Sequence, residues 1–372
     1  MGSNLRLDAL TGLRFLAAFH VLLYHYAPGL GAQRAPWLLH IVEAGYAAVG
    51  LFYVLSGFIL VAVYGGEELS GEGRRRFWIA RFARVYPAYL LAALLWLPVV
   101  LIEGPAPDAT LGALVTILGV QAWFPSLATV WNFPAWSVSV EAFFYAVFPL
   151  ALMRLRGFSR VGVWVLLAAT WAAAVAPPLI QIALSQGDGP GVVSPGSFAV
   201  NLVKYHPLVR LPEFLFGMGI GRLYATGWRP ARWPALHLAA AALLVLTLAC
   251  SDRIPYLLIH NGLLLPVYGA LVIGLASSRS PLERLLAWGP MVLLGDASYS
   301  LYILQEPVPI LARWLAVRAG VTDPWLNLSK TSAVLLLMVG VSVLSLFLLE
   351  RPARTLIRDL ARRSPGGGSS PR

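Results

Sequence analysis

Long apolar runs separated by short basic clusters dominate the chain. With about 20 mostly apolar residues needed to cross a bilayer as a helix, the pattern predicts spans near 10–28, 41–64, 82–102, 136–153, 161–184, 208–226, 234–250, 256–277, 291–312 and 331–349. A shorter apolar stretch at 111–124 ends in Trp123, Phe124 and Pro125 and is ambiguous by length. The expected fold class is all-α: a polytopic helical membrane protein of about ten transmembrane helices.

Charge resolves the short stretch. With ten spans and a cytoplasmic N-terminus, 20 of the 28 Lys and Arg residues fall inside, 7 fall outside, and Arg14 lies within the first span. Cytoplasmic segments carry the excess of basic residues, and a full span at 111–124 would invert every later loop. That stretch is therefore read as a short interfacial or re-entrant helix on the outer side. Both termini are expected in the cytoplasm, with segments 103–135 and 185–207 outside. Because Arg14, His20 and His25 interrupt the first span, it does not read as a cleaved signal peptide.

Composition narrows the class further. The chain is 58% hydrophobic and 12% charged, with a mean hydropathy of +0.72. A soluble domain carries about 25% charged residues, so a pair of soluble domains is excluded. Disorder is excluded too, because it needs low hydrophobicity. Cys250 is the only cysteine, which removes a disulfide scaffold. The net charge of +11 sits in clusters between spans, as orientation signals do, so nucleic acid is not an expected partner. Residues 1–360 read as one membrane domain and 361–372 as a disordered cytoplasmic tail.

Ionisable residues inside spans are costly and mark function or a buried pair. Arg14 and His25 lie eleven residues apart, which brings them onto one helix face about 16 Å apart. An interfacial arginine with a hydrogen-bonded core histidine fits the same facts. Arg81 and Arg84 are neighbours at the start of the third span, where paired guanidinium groups suit a phosphate. Ordinary positive-inside charge fits them equally. In WSVSVEAFFYAVFP, Glu141 lies one turn from both Ser137 and Tyr145, either as a proton acceptor, a sugar-hydroxyl ligand or half of a structural ion pair. Ser56 and Gly57 place small residues in the second span, for close packing or for a ligand. Arg210 and Glu213 look like a helix-entry salt bridge. GDASYSLYILQEP concentrates polar groups, among them Tyr302 and Gln305. The six histidines are scattered, and no metal site is expected.

Taken in order, these segments resemble acyltransferase family 3, the integral membrane O-acyltransferases. LDALTGLRFLAAFHVLLYH carries the family's arginine and histidine as Arg14 and His25. GLFYVLSGFIL, RFARVYPAYLL, WSVSVEAFFYAVFPL and GDASYSLYILQEPV follow in the family's order and span nearly the whole chain. One position departs: where members often have a histidine after SYSLYL, Gln305 stands here, and an amide cannot relay a proton at neutral pH.

The resemblance implies a plasma-membrane enzyme that moves an acyl group, commonly acetyl, from cytoplasmic acyl-coenzyme A to an acceptor hydroxyl. It implies His25 and Glu141 as catalytic residues, His25 as the base and Glu141 orienting it or binding the acceptor. Arg14, Arg81 and Arg84 are implied as ligands of the coenzyme phosphates. Ser56, Ser137, Tyr145, Tyr302 and Gln305 would contact substrate. The acceptor is a glycan, a lipid-linked sugar or a secreted polyketide such as a macrolide. The rival reading is a transporter or exporter, since buried charge also lines substrate paths.

Overall fold

The computed structural model describes residues 7–27, 35–67, 69–103, 109–185, 197–228, 233–277, 280–320 and 328–363. Among these the chain is helical, with no strand. The first half contains α1 (Asp8–Tyr26), α2 (Pro36–Glu43), α3 (Ala48–Tyr64), α4 (Gly71–Glu103), α5 (Ala109–Ile117), α6 (Ala135–Arg156) and α7 (Arg160–Leu184). Next come α8 (Phe198–Tyr205), α9 (Pro207–Ala225), α10 (Trp233–Ala249), α11 (Tyr256–His260) and α12 (Leu265–Ser277). The last are α13 (Pro281–Leu286), α14 (Gly289–Asp296), α15 (Ser298–Ile303), α16 (Pro307–Arg318), α17 (Leu328–Ser345) and α18 (Arg351–Arg363).

Every expected span coincides with helix, and six runs among the described residues are long and apolar enough to cross a membrane. These are Pro36–Tyr64, Gly71–Pro98, Ala135–Arg156, Arg160–Leu184, Tyr256–Ser277 and Thr331–Arg362. The four remaining expected spans depart from a plain apolar rod. Helix α1 carries Arg14, His20 and His25, α9 carries Arg210, Glu213 and Arg222, and α10 is 17 residues long.

The fourth, 291–312, is broken into α14, α15 and α16. At the first break the Ser298 hydroxyl takes the Gly295 carbonyl (2.7 Å), an alternative to the helical ladder. At the second, Pro307 supplies no N–H and starts a new helix. The expected span 256–277 is likewise interrupted at Asn261–Leu264. There Gly262 adopts φ +76°, and Asn261 donates to the Val203 carbonyl (2.8 Å).

The ambiguous stretch 111–124 is the nine-residue α5 followed by a 3-10 turn at Gln121–Trp123, as a short helix requires. Residues 104–108 and 186–196 of the expected outer segments lie outside the described residues. In the expected tail, helix continues to Arg363, and 364–372 lie outside the described residues.

Helices α3 and α9 cross at glycines. A Cβ at Gly57 would stand 2.2 Å from the Phe214 carbonyl oxygen, and one at Gly217 would stand 2.2 Å from that of Val54. Close backbone approach of this kind drives helix association where no hydrophobic force acts between helices. Phe144 of α6 stacks on Phe214 of α9 (4.8 Å), extending the core sideways. On the outer face of α7, Val161, Val165, Ile180 and Leu184 are each more than half exposed, an apolar surface suited to lipid.

Candidate active site

Two cavities lie end to end along α1. The first has a volume of about 290 Å³ and sits between α1, α3, α4, α6 and α15. Eight of the ten residues singled out in the sequence line it: Arg14, Ser56, Arg81, Arg84, Ser137, Glu141, Tyr145 and Tyr302. The helical period explains the gathering, since Ser137, Glu141 and Tyr145 form one stripe of α6 and Arg81 and Arg84 one stripe of α4. The second cavity, about 70 Å³, holds the other two, His25 and Gln305. Val49 and Tyr302 line both and form the wall between them.

At the first cavity the cations converge on aromatic rings. The Arg81 guanidinium lies 5.9–6.0 Å from the centroids of Tyr64, Phe77 and Tyr145, and its buried Nε has no hydrogen-bond partner. Arg14 feels the charges of Arg84, Glu141 and Asp296. Glu141 accepts hydrogen bonds from the Tyr145 hydroxyl (2.5 Å) and the Ser56 hydroxyl (3.1 Å). Of the roles open to Glu141, orienting His25 is the one this arrangement disfavours, because its partners lie in the other cavity. Trp78 Nε1 donates to the Tyr145 carbonyl (3.0 Å) and ties α4 to α6 at this level. Ser137 donates to the Tyr302 hydroxyl (2.8 Å), with the Pro134 carbonyl also in reach (3.0 Å).

The second cavity is walled by rings. His25 packs edge-on against Tyr24 (4.9 Å) and Phe133 (5.7 Å). Gln305 is 1% exposed, and neither its amide oxygen nor its nitrogen has a partner. Buried polar groups are nearly always hydrogen-bonded, so this amide is free for a ligand hydroxyl. His20 leaves α1 on another face and contacts the Ile41 carbonyl (2.6 Å).

Several residues acquire a place that the chain did not announce. Asp296, Ser298 and Tyr299 line the first cavity, and their signal was the polar density of GDASYSLYILQEP. Glu350 is fully buried where the π-helical turn Leu346–Glu350 swings it inward; it accepts from Ser300 (2.7 Å) and Arg354. Its signal was an acid closing a long apolar run. Arg210 and Glu213 pair at the start of α9, 3.0 Å apart, but both are buried, and Arg210 also donates to the His260 carbonyl (2.7 Å). Lys204 lines the second cavity, although in sequence it counted only as a loop charge.

Among the described residues no group of three or more His, Cys, Asp or Glu side chains is placed to hold a metal ion. Comparison with known proteins bears on the chemistry. The acyltransferase domain family matches residues 7–347. The chain is 30% identical to acyltransferase MdmB of Streptomyces mycarofaciens, covering 97% of this chain and 94% of that one. It is 27% identical to the exopolysaccharide production protein ExoZ of Rhizobium meliloti, covering 93% and 98%. It is 26% identical to the putative peptidoglycan O-acetyltransferase YrhL of Bacillus subtilis, covering 93% of this chain but 58% of that protein. No solved structure matches. A match over nearly the whole chain, in the motif order read from the residues, makes this protein a member of the acyltransferase domain family.

Proposed function

We propose that the protein transfers an acyl group, acetyl first among candidates, from cytoplasmic acyl-coenzyme A to a saccharide hydroxyl. The observation that supports this most is the pairing of a cavity rimmed by Arg14, Arg81 and Arg84 with a second cavity holding His25, the two meeting at Tyr302. The arginines suit the phosphates of a polyanion, and the unpartnered Arg81 Nε is a donor in want of an acceptor. The arm of the coenzyme then extends along the first cavity and presents its thioester near Tyr302. A hydroxyl in the second cavity gives its proton to His25. Its oxygen attacks the thioester carbonyl, the carbon–sulfur bond breaks, and coenzyme A leaves as the thiol on taking up that proton. The Tyr302 hydroxyl, which accepts a hydrogen bond from Ser137, is free to donate its own to the developing oxyanion. Glu141 holds Ser56 and Tyr145 in the donor cavity.

The arginine-rich end faces the cytoplasm in this reading, both termini are cytoplasmic, and the membrane is the plasma membrane. ExoZ and YrhL, whose names concern exopolysaccharide and peptidoglycan, favour a saccharide acceptor. The test is release of coenzyme A thiol from acetyl-coenzyme A by purified protein, with and without a methyl glycoside. The reading expects release that depends on His25; a transporter would show none.

A further inference from the structure

Besides His25 and Gln305, the second cavity is lined by a lysine. Lys204, near the end of α8, extends its ammonium across two rings, 4.9 Å from the centroid of Tyr205 and 5.2 Å from that of Tyr256. Cation–π contacts of this kind hold a cation in place without neutralising it. No carboxylate pairs with Lys204 among the described residues. Glu213, the acid on the helix that follows, is engaged by Arg210 at 3.0 Å. The other titratable and charged groups facing Lys204 are Tyr205, Tyr256, His260 and Arg210, with Tyr24, Tyr46 and His25 across the cavity. Two carboxylates reach residues lining the cavity without pairing with Lys204: Glu306 accepts from the Phe133 N–H, and Glu43 acts on Tyr24 and Tyr46. The cavity therefore presents a fixed positive charge, a free buried amide and aromatic walls, all beside the histidine.

Resting on the acyl-transfer reading above, we propose that the acceptor carries an anionic group, a carboxylate or a phosphate, close to the hydroxyl that is acylated, and that Lys204 binds this group while Gln305 holds a neighbouring hydroxyl. An acceptor of this class replaces the water lost from the ammonium with a charge-assisted contact. A neutral acceptor would leave that half-buried charge unpaired. Desolvation, with Arg210 adding to it, pushes Lys204 down to about 8. Selection for the anion is thus present when the ammonium is charged and fades as the pH rises through that value.

The test is thermal stabilisation of the full-length purified protein by methyl β-D-glucuronide and by its neutral counterpart methyl β-D-glucoside. The wild type should respond to the glucuronide at about tenfold lower concentration or less, the lower range for a charged hydrogen bond. Lys204→Met should lose that preference, whereas Lys204→Arg should keep it and also hold it above pH 8. Equal responses to the two sugars in the wild type, no response to either, or a preference that survives in Lys204→Met would overturn the proposal. Acetyl-coenzyme A titrated into the same samples separates the two claims. If it stabilises the protein while the sugars show no difference, the anion proposal falls alone; if it too has no effect, the acyl-transfer reading falls with it.

Discussion

Arg14 and His25 leave the same helix face eleven residues apart, yet they serve different cavities. In the proposed reading the wall of Val49 and Tyr302 gives that separation a meaning: Arg14 would meet the donor and His25 the acceptor. His25→Ala should lower transfer by about 100- to 10,000-fold, the range for losing a general base, while acetyl-coenzyme A still binds. His20→Gln, which keeps a donor for the Ile41 carbonyl, should retain most turnover. Comparable turnover in both variants would move the base elsewhere. Arg84→Ala should weaken acetyl-coenzyme A binding by about 10- to 100-fold in a calorimetric titration, as loss of a charge-assisted contact to phosphate predicts. Unchanged affinity would return Arg84 to the role of a topology signal. The candidate residues were legible because charge and polarity stand out against apolar surroundings. Lys204 and Glu350 were not, since each becomes unusual only when its neighbours are known.

Helix packing depends on close approach at a few glycines. At Gly217 an added Cβ would lie 2.2 Å from the Val54 carbonyl oxygen, a backbone atom that cannot move without separating α3 from α9. Gly217→Ala should therefore destabilise the protein by about 1–3 kcal/mol, the usual cost of overpacking. Gly340, in α17, has nothing within 4 Å of its added Cβ. There alanine should be neutral or slightly stabilising, by up to about 1 kcal/mol through helix propensity. Thermal unfolding of the two variants side by side checks the pair, and equal midpoints would remove the crossing as the reason for Gly217. The interruptions at 297 and 304–306 belong to the same scale. Periodicity reads 291–312 as one span, because a hydroxyl taking the Gly295 carbonyl and a proline at a new N-terminus leave the apolar content unchanged.

The whole molecule presents arginines at one end and a ring-walled cavity toward the other. The bias of 20 basic residues against 7 predicts that end to be cytoplasmic. Reporter fusions after Gly71 and Gly187 should therefore report opposite sides of the membrane, and the same side for both would defeat the orientation. Some of those arginines also close helix ends: Arg156 donates to the Gly65 carbonyl (3.2 Å), and Arg222 to that of Arg156 (3.0 Å). Their removal should disturb folding as well as topology.

By itself the amino-acid sequence determined the all-helical class, where most of the apolar helices run and that the stretch at 111–124 is short. A bilayer leaves no partner for an open backbone, so length and apolarity along a local run decide whether that run is a spanning helix. It also determined the family, because five segments in order carry more information than any one of them. Tertiary structure alone decided which residues meet. It placed Glu141 with Ser56 and Tyr145 rather than with His25, buried Arg210 against Glu213 and His260, and set Tyr302 between the two cavities. Most of these contacts join residues dozens to hundreds of positions apart, and a helical period relates only those within a few turns of each other.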